Sequence, residues 1–241
     1  MKVGVIITMY DESEIVVQTV RQIRNTFKDS EIILVHSDNK EVSGTLDTIK
    51  NLSSEYIKLP DMSDEIVLKN LNPIILRNLN TGFKKLYESN VNYDLIVVLT
   101  GDTLIHDPSC FIRRAKEMKK NEWIAMVSQA VGQDFHATAA DGSCIFEVRH
   151  QSETTTDFAC CLFFLNGEWA LKHQAFSNIE MTNAWANEQC LGDEILKFLG
   201  DKDFHKHVGR LNSKKPKKAY SYNDGVIYHA MHDGKPAGRY L

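Results

Sequence analysis

The sequence predicts an α/β fold built on a doubly wound, mixed but mainly parallel sheet flanked by helices. Three observations predict it. The stretch Tyr93-Asp94-Leu95-Ile96-Val97-Val98-Leu99-Thr100-Gly101-Asp102-Thr103 contains an apolar, β-branched run with no alternation, the pattern of a strand buried on both faces. Two further apolar runs, Lys2–Thr8 and Glu31–His36, precede segments of helical spacing or turn chemistry. Strand and helix signals alternate through the amino-terminal half, which implies parallel strands joined by crossover helices.

The elements follow in order. After the first strand, Ile15, Val16, Val20, Ile23 and Phe27 recur at helical spacing. Asp11 or Ser13 can cap that helix, and Asp11, Glu12 and Glu14 suit the positive end of its dipole. A second helix is expected from about Gly44 to Asn51, and a short strand over Tyr56–Leu59. Asp64–Asn90 reads as helical with an interruption at Pro73. Beyond the central strand, Asp107-Pro108 opens another helix with proline in its first turn. The second half is less regular. Trp123–Ala130, Cys144–Arg149 and Phe158–Phe164 are expected strands, separated by polar loops at 132–142 and 150–157. Glu168–Phe176 and Gly192–Leu199 are expected helices, Lys214–Lys218 a basic loop and Ala219–Ala230 a late strand.

Composition narrows the function. With 241 residues, 43% of them apolar and 25% charged, the chain suits one globular domain with a sizeable core. A net charge of -4 argues against a general nucleic-acid binder. No apolar run approaches the roughly 20 residues that cross a bilayer, so no stable membrane insertion is expected. The amino terminus enters a strand at once and carries no cleavage signature. Five cysteines without a C-x-x-C pair read as reduced, mostly buried thiols of a cytoplasmic protein.

Chemistry-bearing residues gather at strand ends, where open α/β sheets bind ligands. Asp102, with Gly101 before it, follows the central strand. Its carboxylate suits a hard divalent cation or the capping of a turn. Thr8-Met9-Tyr10-Asp11-Glu12 ends the first strand and opens a helix, a place for a phosphate or ribose or simply for a cap. The segment has no glycine, which excludes a G-x-G-x-x-G dinucleotide site. Asp38 follows the second strand, either as a nucleoside contact or as a turn residue. Gly192-Asp193-Glu194 precedes an apolar helical run; its acids serve as first-turn charges or as a general base. His229 offers an imidazole to a metal.

In this order the segments resemble the GT-A glycosyltransferases, in particular the inverting family-2-like group. Val3–Glu12 is similar to that group's first strand and Tyr-Asn-Glu. Arg77-Asn78-Leu79-Asn80-Thr81-Gly82, followed by Tyr93–Asp102, resembles its Asn-x-Gly helix and D-x-D strand, and Phe158–Trp169 its acceptor-side strand and helix. Gly192-Asp193-Glu194 resembles the Glu-Asp base motif, and Ile227-Tyr228-His229 the late metal-binding histidine. Thr100 stands where the first D-x-D acid would be, and the Asp-Asp-x-Ser pattern near Asp38 is absent.

The resemblance implies a single GT-A domain over 1–241, with a nucleotide-binding half (1–105) and an acceptor half (106–241). It implies sugar transfer with inversion from a nucleotide-diphosphate donor, UDP-linked, to a glycan, lipid-linked or protein hydroxyl. Thr8, Tyr10, Asp11, Glu12, Asp38, Asn80, Gly101 and Asp102 would surround the donor. Asp102 and His229 would hold Mn2+ or Mg2+, and Asp193 or Glu194 would be the base. A lipid-linked acceptor would bring the enzyme to a membrane peripherally. Two other functions fit the fold. A nucleotidyltransferase would carry a glycine-rich basic loop where Thr8–Glu12 is acidic. A non-catalytic sugar-nucleotide or glycan-binding protein would account for the missing acid at Thr100.

Overall fold

The structure is a computed structural model that describes residues 1–9, 13–37, 45–60, 72–101, 103–129, 135–138, 144–148, 158–179 and 187–211, with short strands between 213 and 236. Strands and helices are numbered along the chain. A seven-stranded sheet contains β1 (Val3–Met9), β2 (Glu31–His36), β3 (Glu55–Lys58), β4 (Leu95–Thr100), β6 (Ala125–Gln129), β9 (Phe158–Asn166) and β10 (Val208–Leu211), in the order β10-β6-β9-β4-β1-β2-β3. Strands β1 to β4 are mutually parallel. Strand β9 runs antiparallel between β4 and β6, and β10 is parallel to β6. The protein is therefore α/β with a mixed, mainly parallel sheet, as the sequence predicts.

The helices are α1 (Ser13–Thr26), α2 (Leu46–Leu52), α3 (Asn72–Glu88), α4 (Cys110–Asn121), α5 (Gly167–His173), α6 (Asn187–Leu199) and α7 (Asp201–His207). All seven residues of β1 are buried. Successive side chains on a strand point to opposite faces, so β1 supplies two cores at once. Val5 and Ile7 pack with Val20 and Ile23 of α1, Ile49 of α2 and Phe111 of α4. Ile6 packs with Leu79 and Phe83 of α3 and Leu191 and Ile195 of α6. The unbroken apolar run of β4 has the same cause. Helix α3 lies close on the sheet because Gly82 has no side chain; a Cβ there would come within 2.5 Å of Ile6 Cγ2.

Pro73 is the second residue of α3, where the missing N–H has no intrahelical acceptor to lose; residues 64–71 of the expected helical stretch lie outside the described residues. Three expectations need correction. Helix α6 starts at Asn187 rather than Gly192, because packing of Leu191 and Ile195 into the core outweighs glycine's weak helix propensity. The supposed loop at 132–142 includes β7 (Phe135–Thr138), paired with β8 (Cys144–Val148). The late strand is two, β12 (Tyr220–Tyr222) and β13 (Val226–Tyr228), forming an antiparallel pair. With β11 (Ser213–Lys214) and β5 (Leu104–Ile105) they make a four-stranded sheet, and β14 (Met231–His232) pairs with β15 (Lys235–Pro236). Cys110 and Cys190 are buried thiols. Among the described residues no helix is long and apolar enough to cross a membrane.

Candidate functional site

From β1 the chain proceeds outward through β2 and β3, then returns to place β4 on the other side of β1. That reversal opens a crevice at the carboxyl ends of β1 and β4, the usual ligand position in such sheets. Thr8 and Thr100 are register partners there. The Gly101 N–H donates to the Thr8 carbonyl at 2.7 Å, and the Ser37 N–H to the Met9 carbonyl at 3.2 Å. The three strand ends are thus tied edge to edge, with Thr8 and Gly101 side by side. Thr8 is buried.

The chain turns sharply after β4. The Thr103 N–H donates to the Thr100 carbonyl at 3.0 Å, and the two threonine hydroxyls lie 3.2 Å apart. Thr19, a fully buried residue of α1, holds the far side of this turn. Its hydroxyl donates to the Thr103 carbonyl at 3.0 Å and accepts from the Ile105 N–H at 3.1 Å. Thr19→Val keeps the shape but strands both backbone groups, so it should destabilise by about 2 kcal/mol, whereas Thr19→Ser keeps both bonds and should cost under about 1 kcal/mol. Urea denaturation and amide exchange at Ile105 measure the difference; equal values for the two variants would refute the anchoring role.

Strand β5 leads out of the turn and pairs with β13, Leu104 opposite Ile227 and Ile105 opposite Val226. Asp102 and His229 lie outside the described residues, as do Tyr10, Asp11, Glu12 and Asp38. Among the described residues no group of three or more His, Cys, Asp or Glu side chains could hold a metal.

Helix α3 flanks the crevice with groups the sequence reading passed over. Arg77 donates to the Ser37 hydroxyl at 3.0 Å and to the Pro60 carbonyl at 2.9 Å, bridging the segments that follow β2 and β3. Asn78 is 4% exposed, and its Oδ1 has no hydrogen-bond partner among the described residues. It lies one turn before Gly82, hence about 6 Å nearer the carboxyl ends of the strands. The signal was available: Asn78 falls among Ile75, Leu79 and Gly82 on the face turned toward the sheet. On the other face of the sheet His36, also buried, joins its Nδ1 to the Tyr56 hydroxyl at 2.6 Å, and burial pushes that hydroxyl's pKa up.

Asn80 does a different job from the one expected. Its amide donates to the Ile179 carbonyl at 3.0 Å and accepts from the Ile179 N–H at 2.7 Å. Both ends of the side chain are thereby committed to clamping the segment after α5.

Glu194 also departs from expectation. It is 5% exposed, deep under α6; Oε1 accepts from the Phe176 N–H at 3.1 Å and Oε2 from Lys197 Nζ at 2.7 Å. Phe176 needs the support, since it holds a left-handed φ of 63°. Tyr87 donates to the neighbouring Ala175 carbonyl at 2.8 Å; burial first, and then the Glu194 charge, raise its pKa. Tyr87 belongs to the last turn of α3, at the amino ends of the strands. Phe198, one turn beyond Glu194, meets Trp169 of α5 edge to face at that same edge. Glu194 therefore sits far from the crevice with its oxygens occupied, which removes it as a base, and the half-buried Asp193 shares its turn. The first turn of α6 contains Glu188 instead. Helix direction puts that turn at the carboxyl edge, and only the misread start of α6 hid it.

No family model and no curated protein matches the chain. Among solved structures it is similar to TarS 1–349 of S. aureus, at 11% identity and a TM-score of 0.49, over 95% of this chain and 60% of that one. It is similar also to TarS of S. aureus at 12% identity and a TM-score of 0.48, over 89% of this chain and 36% of that one. The chain thus spans less than two thirds of the length of either.

Proposed function

We propose that the protein is a GT-A-type glycosyltransferase that moves a sugar from a nucleotide-diphosphate donor, UDP-linked, to a hydroxyl acceptor with inversion. The observation that supports this reading is the crevice at the carboxyl ends of β1 and β4, where Thr8 and Thr100 are register partners and the Gly101 N–H donates to the Thr8 carbonyl. Asp102 and His229 are the residues that would hold a divalent metal there. A carboxylate oxygen with an imidazole nitrogen suits manganese better than magnesium, which favours oxygen alone. When bound there, the ion supplies charge neutralisation to a leaving diphosphate.

The chain's own groups do the rest. Thr8 and Gly101 line the donor crevice, with Tyr10, Asp11, Glu12 and Asp38 adjoining it in sequence. Glu188, in the first turn of α6, takes the proton from the acceptor hydroxyl as the new bond forms. The acceptor is a glycan, a lipid-linked sugar or a protein hydroxyl.

Calorimetry with UDP and other nucleoside diphosphates, with and without Mn2+, tests the reading. UDP should bind only with the metal, and Asp102→Ala should weaken it at least about tenfold. Intact donor turnover by Asp102→Ala would refute the metal assignment. The Thr100 hydroxyl, tied to Thr103 where the resemblance calls for an acid, favours a second reading as a binding protein. Tight metal-independent binding without turnover would establish it instead.

A further inference from the structure

Helix α4 carries a surface that the crevice does not use. Among residues 112–120 the exposed ones are Ile112, Arg113, Lys116, Lys119 and Lys120. At about 100° per residue they occupy one arc of roughly 120°. The opposite side, formed by Cys110, Phe111 and Met118, is buried. Of the acids nearest in sequence, two are engaged elsewhere and the third, Glu122, is the exposed left-handed C-cap residue that follows the helix. Asp107 pairs with Arg113 at 3.1 Å, and Glu117 pairs with Arg114 at 2.8 Å off the edge of the arc. Among the described residues no carboxylate pairs with Lys116, Lys119 or Lys120. Three cations therefore stand together on a protein whose net charge is -4. At the amino-terminal end of the same arc Ile112 is 38% exposed, one of few large apolar side chains left to solvent among the described residues.

We propose that this arc of α4 is a docking surface for an anionic lipid bilayer. The three lysines meet headgroup phosphates, each adding to the attraction, and Ile112 enters the interfacial layer. The exposed apolar side chain decides between anionic partners. A phosphodiester backbone gives Ile112 nothing to pack against, and the arc has no aromatic ring on which a base could stack. The net negative charge also disfavours general nucleic-acid binding. Ile112 and Arg113 lie in the first turn of α4, which follows β5 and so stands at the crevice end of the sheet. Docking through α4 brings the crevice beside the membrane surface. The inference does not depend on the proposed transfer reaction.

Vesicle co-sedimentation of the full chain tests it, with phosphatidylcholine alone against phosphatidylcholine mixed with phosphatidylglycerol. The protein should bind only the anionic vesicles, and binding should fall at least about tenfold as salt rises and the screening length shrinks. Combined Lys116→Glu, Lys119→Glu and Lys120→Glu should weaken binding by about tenfold or more, and Ile112→Ser by a few-fold. The same charge change on the exposed Lys172, Lys202 and Lys206 should leave binding within about twofold, which separates this surface from net charge. All these residues are exposed, so thermal denaturation should show each variant folded. Absence of binding to anionic vesicles, undiminished binding by the α4 triple variant, equal loss in the control variant, or preference for a nucleic-acid homopolymer would each overturn the proposal.

Discussion

Gly167→Ala is expected to be the most damaging small substitution in this protein. Gly167 opens α5 directly after β9, and an added Cβ would overlap the Tyr93 carbonyl oxygen and lie 2.6 Å from its carbonyl carbon. Neither backbone can retreat. Asn166, just before the glycine, is in register with Leu95 on β4. Tyr93 is pinned by its hydroxyl, which donates to Glu31 Oε2 at 2.5 Å and lies 2.8 Å from the Ser89 hydroxyl. Burial, with the Glu31 contact behind it, raises the phenol's pKa and keeps it protonated. The loss should exceed about 3 kcal/mol, at the high end of overpacking effects. Gly209→Ala provides the comparison, since its Cβ would meet the Trp123 ring, a side chain that can turn. In urea denaturation Gly167→Ala should be the worse of the two, and the reverse order would contradict the backbone clash.

Glu188→Gln and Glu194→Gln should part company in activity. A general base contributes about 10²–10⁴-fold, so Glu188→Gln should lose turnover on that scale while binding donor normally. Glu194→Gln keeps an oxygen for the Phe176 N–H and should retain activity within a few-fold. Glu194→Ala leaves that N–H without an acceptor in a buried place, at a cost of about 1–3 kcal/mol. Loss in the alanine variant and recovery in the glutamine variant identify a structural carboxylate. A folded but inactive Glu194→Gln beside an active Glu188→Gln would reverse the assignment.

These residues also mark where the sequence was informative. The strands buried on both faces were plain, because burial leaves no polar alternation and β1, β2 and β4 consist of little else. The carboxyl-edge crevice followed from their order. Side-chain roles were harder to read, since an amide or carboxylate at a suggestive spacing bonds a donor or a neighbouring backbone equally well. Asn80 and Glu194 took the backbone, each serving a segment far from it in sequence, and that choice is made only by tertiary packing. Glycine misled at position 192, where core contacts carry the helix through. The split between β12 and β13 was legible and missed: Asn223-Asp224-Gly225 is an ordinary hairpin signal.

The reversed strand β9 has a consequence for how the chain assembles. It lies between β4 and β6, yet β6 is synthesised first. Until Phe158–Asn166 emerges, β4 is an open edge and β6 has no strand to join. Strand β10, the other neighbour of β6, comes later still. The sheet therefore grows outward from β4 only after most of the chain exists, through contacts of long sequence separation that form slowly. A nascent chain halted before Phe158 presents an unpaired, wholly apolar strand edge, the form most exposed to misassociation. Expression yield should depend on how quickly that one strand arrives.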